Sequence, residues 1–178
     1  MLIEVDWNAC GALPHEREIL LSGRVPFLLP ATLAAIDNGS GERKERLVYT
    51  AEGSVAITAF DPDRNTTLGD LFLILENYIR NLRTARDLLL DEQLLSSDPG
   101  KGVFVRGREV RSVWGAGARE EAGEKICRVA ACLKTKERVM GAGAAMEQVC
   151  SRLADGSRGL GECLKAVEIA HREWNYIV

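Results

Sequence analysis

Residues 67–90 read TLGDLFLILENYIRNLRTARDLLL, and residues 103–114 read VFVRGREVRSVW. The first stretch predicts one long apolar-faced helix and the second a β-hairpin. Thr67 is followed three residues later by Asp70, a capping box in its Asp form. The hydroxyl accepts from a free first-turn amide, and the carboxylate reaches back while facing the positive helix end. Leu68, Leu71, Phe72, Leu75, Tyr78, Ile79, Leu82, Ala85 and Leu89 follow in steps of three and four, which sets them on one face. Leu73 and Ile74 add a second apolar side, so the first two turns should be buried nearly all round. Arg80, Arg83 and Arg86 lie off the stripe and should be solvated. A helix of about 22 residues spans roughly 33 Å, the width of a small domain.

The helical pattern breaks at Ser96-Ser97-Asp98-Pro99-Gly100, where Pro99 lacks a donor and Gly100 admits positive φ. Val103-Phe104-Val105 and Glu109 to Trp114 then flank Arg106-Gly107-Arg108, two β-prone runs around a Gly-centred connection. With Arg106-Gly107-Arg108 taken as the loop, Val103, Val105, Val110 and Trp114 do not share one face. A bulge or wider loop is therefore expected.

Outward from this centre, Met1–Trp7 alternates apolar and acidic residues and predicts a strand. His15–Leu21 predicts a short helix ended by Gly23. Leu33–Ile36 predicts a strand that Pro30 places near a sheet edge. Asp37–Gly41 is a strong turn signal. Arg46–Thr50 and Ser54–Phe60 predict two more strands, with Leu47 and Tyr49 sharing a face and Lys44 in the loop before the first. Asp61–Asn65 is a loop that separates a β-rich N-terminal part, residues 1–65, from a mainly helical part, residues 66–178, that carries the hairpin 103–114. In the second part the pattern predicts helices over Arg119–Met140, interrupted by Gly141 and Gly143, over Ala144–Leu153 up to Asp155-Gly156, and from an N-cap at Ser157 to the end. The whole reads as one structural unit of α+β class.

Composition excludes several roles. The 178 residues carry a net charge of −3, with 46% hydrophobic residues, a pI near 5.5 and a mean hydropathy of −0.08. That balance favours neither nucleic acid nor a membrane surface as partner. The longest uncharged apolar run, Val25–Ile36, is too short to span a bilayer. The N-terminus lacks the basic region and apolar core of a secretion signal, so a cytoplasmic location is expected. Cys10, Cys127, Cys132, Cys150 and Cys163 have no CxxC spacing and only His15 and His171 for company, so they read as small apolar residues rather than a zinc or disulfide framework.

The layout resembles a known family. A small antiparallel β lobe with one helix, then a long helix, a loop, a hairpin and more helices is the two-lobed chain order of the protein-kinase fold. Glu18-Ile19-Leu20, Val25-Pro26-Phe27-Leu28-Leu29-Pro30, Leu47-Val48-Tyr49-Thr50, the 67–90 helix and the Val103–Val113 hairpin are similar to one group in particular. That group is the non-catalytic kinase-like domain of Gram-positive bacteria, found ahead of forkhead-associated domains or in the membrane component of type VII secretion. The resemblance spans roughly residues 1–175 and implies a protein-interaction or scaffolding module in signalling or secretion, with a protein partner and no cofactor. The departures from an active kinase agree with this. Met1–Pro14 offers only Gly11 where a Gly-rich loop is needed, residues 94–102 hold no His-Arg-Asp and no metal-binding Asn, and Val113-Trp114-Gly115 stands where a magnesium-binding Asp would follow the hairpin.

Other chemistry reads weakly. Asp98 with Lys101 is the alternative site for a small enzyme of unrecognised class, although an acid before Pro99 reads first as a turn residue. His15 with Glu16 or Glu18, and His171 alone, read as helix-start and core residues. Arg106, Arg108 and Arg111 form a basic patch on the hairpin, and Trp174 and Tyr176 are large rigid residues near the chain end. These five are the candidate interaction residues. Association of two copies through the last helix is a further alternative.

Overall fold

The computed structural model describes residues 1–37, 43–117, 119–154 and 159–175. Among them the chain forms β1 (Leu2–Asp6), α1 (Pro14–Leu21), β2 (Ala31–Asp37), β3 (Arg43–Thr50), β4 (Val55–Ala56), α2 (Leu68–Asp87), β5 (Val103–Arg106), β6 (Glu109–Ser112), α3 (Ala122–Lys134), α4 (Ala142–Leu153) and α5 (Leu160–Asn175). The class is α+β. The strands form two antiparallel sheets, ordered β1-β3-β2 and β4-β5-β6. No helix among the described residues is long and apolar enough to cross a membrane.

The capping box forms as the spacing predicts. Thr67 donates to the Asp70 carboxylate from its amide (2.7 Å) and its hydroxyl (2.8 Å), and its oxygen accepts from the Asp70 amide at 3.2 Å. Asp70, Leu71, Phe72, Ile74, Leu75 and Glu76 are all buried, so the first two turns are enclosed on most sides. Helices α3 and α5 and strand β6 pack around α2. Its C-terminus departs from expectation. Leu89 is not on the stripe: it takes φ 61 and is 74% exposed. The amide of Leu90 bonds Ala85 O at 2.9 Å and that of Leu89 bonds Arg86 O at 3.0 Å, the paired bonds of a Schellman stop. Leu90 takes the buried place instead.

The hairpin needs no bulge. Val105 faces Val110 and Arg106 faces Glu109, which leaves a two-residue turn of Gly107-Arg108, with Gly107 at φ 60. With Arg106 inside the strand, Val103, Val105 and Val110 share one face by plain alternation. Phe104, on the opposite face, is also buried, so this sheet is covered on both sides.

Three more boundaries shift. Lys44 is a strand residue, opposite Ile36, because the β2–β3 ladder continues to Asp37 and Arg43. The expected turn lies largely at 38–41, outside the described residues. The strand expected over Ser54–Phe60 is only Val55–Ala56 and joins β5 rather than the first sheet; beyond it the Ala59 and Phe60 amides both turn back to Ala56 O. The helix expected over Arg119–Met140 is confined to Ala122–Lys134. The Thr135 hydroxyl bonds Cys132 O and Lys136 reaches Thr58 O at 3.0 Å, which turns the chain so that Val139 is buried and Met140 is 77% exposed. Gly141, at φ 81, opens α4, and Gly143 lies within it. The Asp155-Gly156 stop and the Ser157 cap fall outside the described residues.

Replacing Leu89 with Gly should raise stability by about 1 kcal/mol, the approximate cost of a left-handed L-residue, or about 2–4 °C in a chain of this size. Thermal melts of the variant check it; an unchanged or lower midpoint means that the exposed leucine is held by packing.

Candidate functional site

Between α2 and β5 the chain runs through a buried irregular segment: a 3-10 turn at Glu92–Leu94, then Leu95, Ser96 and Ser97, all buried. Irregular backbone that is buried must find partners from side chains, and it does. Lys125 of α3, 1% exposed, points its ammonium at the carbonyls of Glu92 (3.1 Å), Gln93 (2.7 Å) and Leu95. The Tyr78 hydroxyl donates to Ser96 O at 3.2 Å, and Trp114 Nε1 donates to Asp91 O at 3.2 Å. From α1, Glu16 accepts the Asp91 amide on one carboxylate oxygen and the Leu13 amide on the other, each at 2.7 Å. Tyr49 of β3 donates to Trp114 O at 2.9 Å, and Trp7 sits 6.2 Å from Trp114, ring centre to ring centre. Gly102 completes the packing, since a Cβ there would lie 1.9 Å from Ser96 Oγ.

Burial pushes the Lys125 ammonium down to about 8, against the pull of Glu120, Asp91 and Glu92. Burial also raises the Tyr49 and Tyr78 phenols well above their ordinary range. The sequence reading passed over Lys125, although it stands three residues after Ala122 and four before Val129, on the apolar stripe of α3. That placement was the signal.

Asp98 is engaged as a turn residue: its Oδ1 accepts the amides of Gly100 (2.7 Å) and Lys101 (3.0 Å). Lys101 is exposed. Trp114, just after the hairpin, is fully buried. Among the described residues no group of three or more His, Cys, Asp or Glu side chains is placed to hold a metal. All five cysteines are thiols. Burial raises Cys10, Cys127 and Cys132, and Cys150 to about 12, which makes these poor nucleophiles. His15 Nε2 lies 3.1 Å from Leu89 O.

The five candidate interaction residues separate. Arg108 bonds Asp70 at 2.5 Å. Burial opposes ionisation of Asp70, but the Thr67 amide and hydroxyl and this guanidinium outweigh it and hold the carboxyl below its usual range. Arg111 is partly enclosed, with Glu109 3.9 Å away. Arg106 is exposed and folds over Gly53. Trp174 is no free anchor: Nε1 donates to Gln148 at 2.6 Å and its ring lies against Gly141. Tyr176 falls outside the described residues. Arg108 and Trp174 both converge on the first turn of α2, the one through Asp70 and the other through Gly141, which also touches Leu68. His171 is part of the same packing. Its Nδ1 lies 2.7 Å from the buried Glu76 carboxylate, its ring stacks on Phe72, and Arg80 bonds Glu76 from the other side at 3.0 Å.

Two grooves meet at Pro26 and Arg111. One, of 380 Å³, runs between α2 and β6 past Phe27, Asn77 and Asn81. The other, of 300 Å³, is lined by Leu20, Val25, Leu28 and Leu29 and ends at Ala31. A third hollow, of 530 Å³, lies between the β1 end and the Gly115–Gly117 turn, beside Cys10 and Arg119.

The fold and this geometry define an α+β protein whose central loop is held by side chains. No family model, curated protein or solved structure matches the chain.

Replacing Lys125 with Met strands three carbonyls and should cost about 2–3 kcal/mol. The wild-type pKa of about 8 lies below the ~10.4 of an unfolded lysine. Between these values the unfolded chain binds more protons, so the Lys125 contribution rises with pH. The raised thiols slope the other way, losing stability above ~8.5. Urea melts of both proteins at several pH values from 7.5 upward isolate the lysine: the wild-type minus variant difference should grow above pH 8, and a flat difference contradicts it.

Proposed function

We propose that this chain is a non-catalytic, kinase-like protein-interaction module that positions a protein partner in bacterial signalling or secretion. In this reading β1-β3-β2 with α1 is the small lobe, and α2 to α5 with the second sheet form the helical lobe. The reading rests on the segment between α2 and β5. An active kinase presents a catalytic Asp and a metal-binding Asn there. Here the segment directs several of its backbone carbonyls to side chains of the surrounding elements. Its carbonyls go to Lys125, Tyr78 and Trp114, and Asp98 is occupied by its own turn amides. In this reading Val113-Trp114-Gly115 stands where a magnesium-binding Asp would follow the hairpin, and Trp114 is buried and acts as a donor to the same segment.

Titration with ATP and Mg²⁺ should leave the melting temperature unchanged. A site filled at 100 times its Kd would add about 2.7 kcal/mol, several degrees here. A shift of that size would overturn the reading.

A further inference from the structure

Strand β2 is an outer strand of the first sheet. The Thr50 amide bonds Pro30 O and Ala31 faces Tyr49. The alternation of an antiparallel ladder then turns the backbone groups of Ala31, Leu33 and Ala35 away from β3. None of them finds a partner among the described residues. Edge strands are commonly blunted by charge or bulges. The opposite edge, β1, carries Glu4 and Asp6, whereas residues 31–36 of β2 are uncharged.

The start of this bare edge opens into the 300 Å³ apolar groove formed by Leu20, Val25, Leu28 and Leu29. The groove ends on a cationic rim. Arg111 lines it and, among the described residues, has Glu109 at 3.9 Å as its one counter-charge. Arg24 is exposed, sits in the sequence between the groove residues Gly23 and Val25, and has no ion pair among the described residues. Unpaired donors and acceptors, an apolar recess and a positive end form the three parts of a strand-addition site.

We infer that β2 receives an extended segment of a protein partner as a fourth strand of β1-β3-β2, with one apolar side chain in the groove and an adjacent Asp or Glu against Arg111 and Arg24. This rests on the interaction-module reading and names its surface and partner chemistry. The backbone bonds supply affinity that is indifferent to sequence, and the groove and rim supply the selectivity.

The test pans a random 12-residue peptide display library on the full chain and measures the enriched synthetic peptides by fluorescence anisotropy. Enriched peptides should pair an apolar residue with a neighbouring Asp or Glu. They should lose about ten-fold or more in affinity, the worth of one good hydrogen bond or charge contact, on Ala35→Pro and on Arg111→Glu. Ala35→Pro removes only an outward N–H, and an unchanged melting temperature certifies each variant as folded. Hydrogen exchange should show the Ala31, Leu33 and Ala35 amides protected by peptide; should Ala35→Pro unfold the chain, this measurement on the wild type decides instead. Peptides that bind both variants equally and leave those amides unprotected would overturn the edge site and leave the module reading standing. No enrichment would overturn it as well, and the separate nucleotide titration decides the module reading. A dimer in light scattering that Ala35→Pro dissociates would assign the edge to a second copy of this chain and overturn the partner-segment proposal.

Discussion

The structure depends on one ammonium group. Lys125 fills a site made of three main-chain carbonyls, in a stretch with no strand or long helix to satisfy them. A lysine suits that site because its head is compact and carries three rotatable donors. A guanidinium fork would not fit three carbonyls that converge on one point. Trp114, Tyr78 and Glu16 hold the same stretch from three other directions, so α1, α2, α3 and the chain after β6 are registered against one segment. Loss of any pin leaves a buried polar group unpaired, which costs more than a formed bond contributes.

That network also shows why sequence reached some features and not others. The α2 cap was legible because Thr67 and Asp70 are three residues apart and act on the same turn. That Leu47 and Tyr49 share a face followed from simple alternation, and both are buried. The Schellman stop at Leu89 was not legible, because glycine is the usual residue there and a leucine at helical spacing counts toward the stripe. The expected bulge or wider loop turned on one residue: it takes Arg106 as loop, whereas Arg106 pairs with Glu109 inside the ladder. The pins of the central segment join positions 75, 33, 32, 23 and 18 residues apart. No local pattern encodes pairs at such distances; only the placement of Lys125 on an apolar stripe hinted at one.

The contacts that the candidate interaction residues make within the fold were hidden from the sequence for a related reason. An arginine on a hairpin tip looks solvated when its neighbours in sequence are alone considered. In the fold, Arg108 reaches the Asp70 carboxylate at the start of α2, where it reinforces the cap. Trp174 likewise closes the joint between α5 and α4. Both side chains thus bond within the fold, although Arg108 stays largely exposed.

The two sheets treat their edges differently, and helix geometry explains the contrast. Helix α2 runs beside β6, and Asn77 and Asn81 donate to the carbonyls of Arg108 and Val110 at 2.9 and 2.8 Å. Four residues of helix rise about 6 Å, close to the roughly 6.7 Å between alternate strand residues. Two asparagines one turn apart therefore meet two successive outward carbonyls. Further along, Phe27 and Leu29 bond the amide and carbonyl of Ser112, and the β6 edge is closed along much of its length. Beside the first sheet lies α1, whose Arg17 bonds Glu45 of the central strand at 2.8 Å. Although α1 packs near β2, the outward backbone groups of Ala31, Leu33 and Ala35 have no hydrogen-bond partner among the described residues. The β6 edge is thus closed by side chains one turn apart on α2, and no such pair reaches the edge of β2 among the described residues.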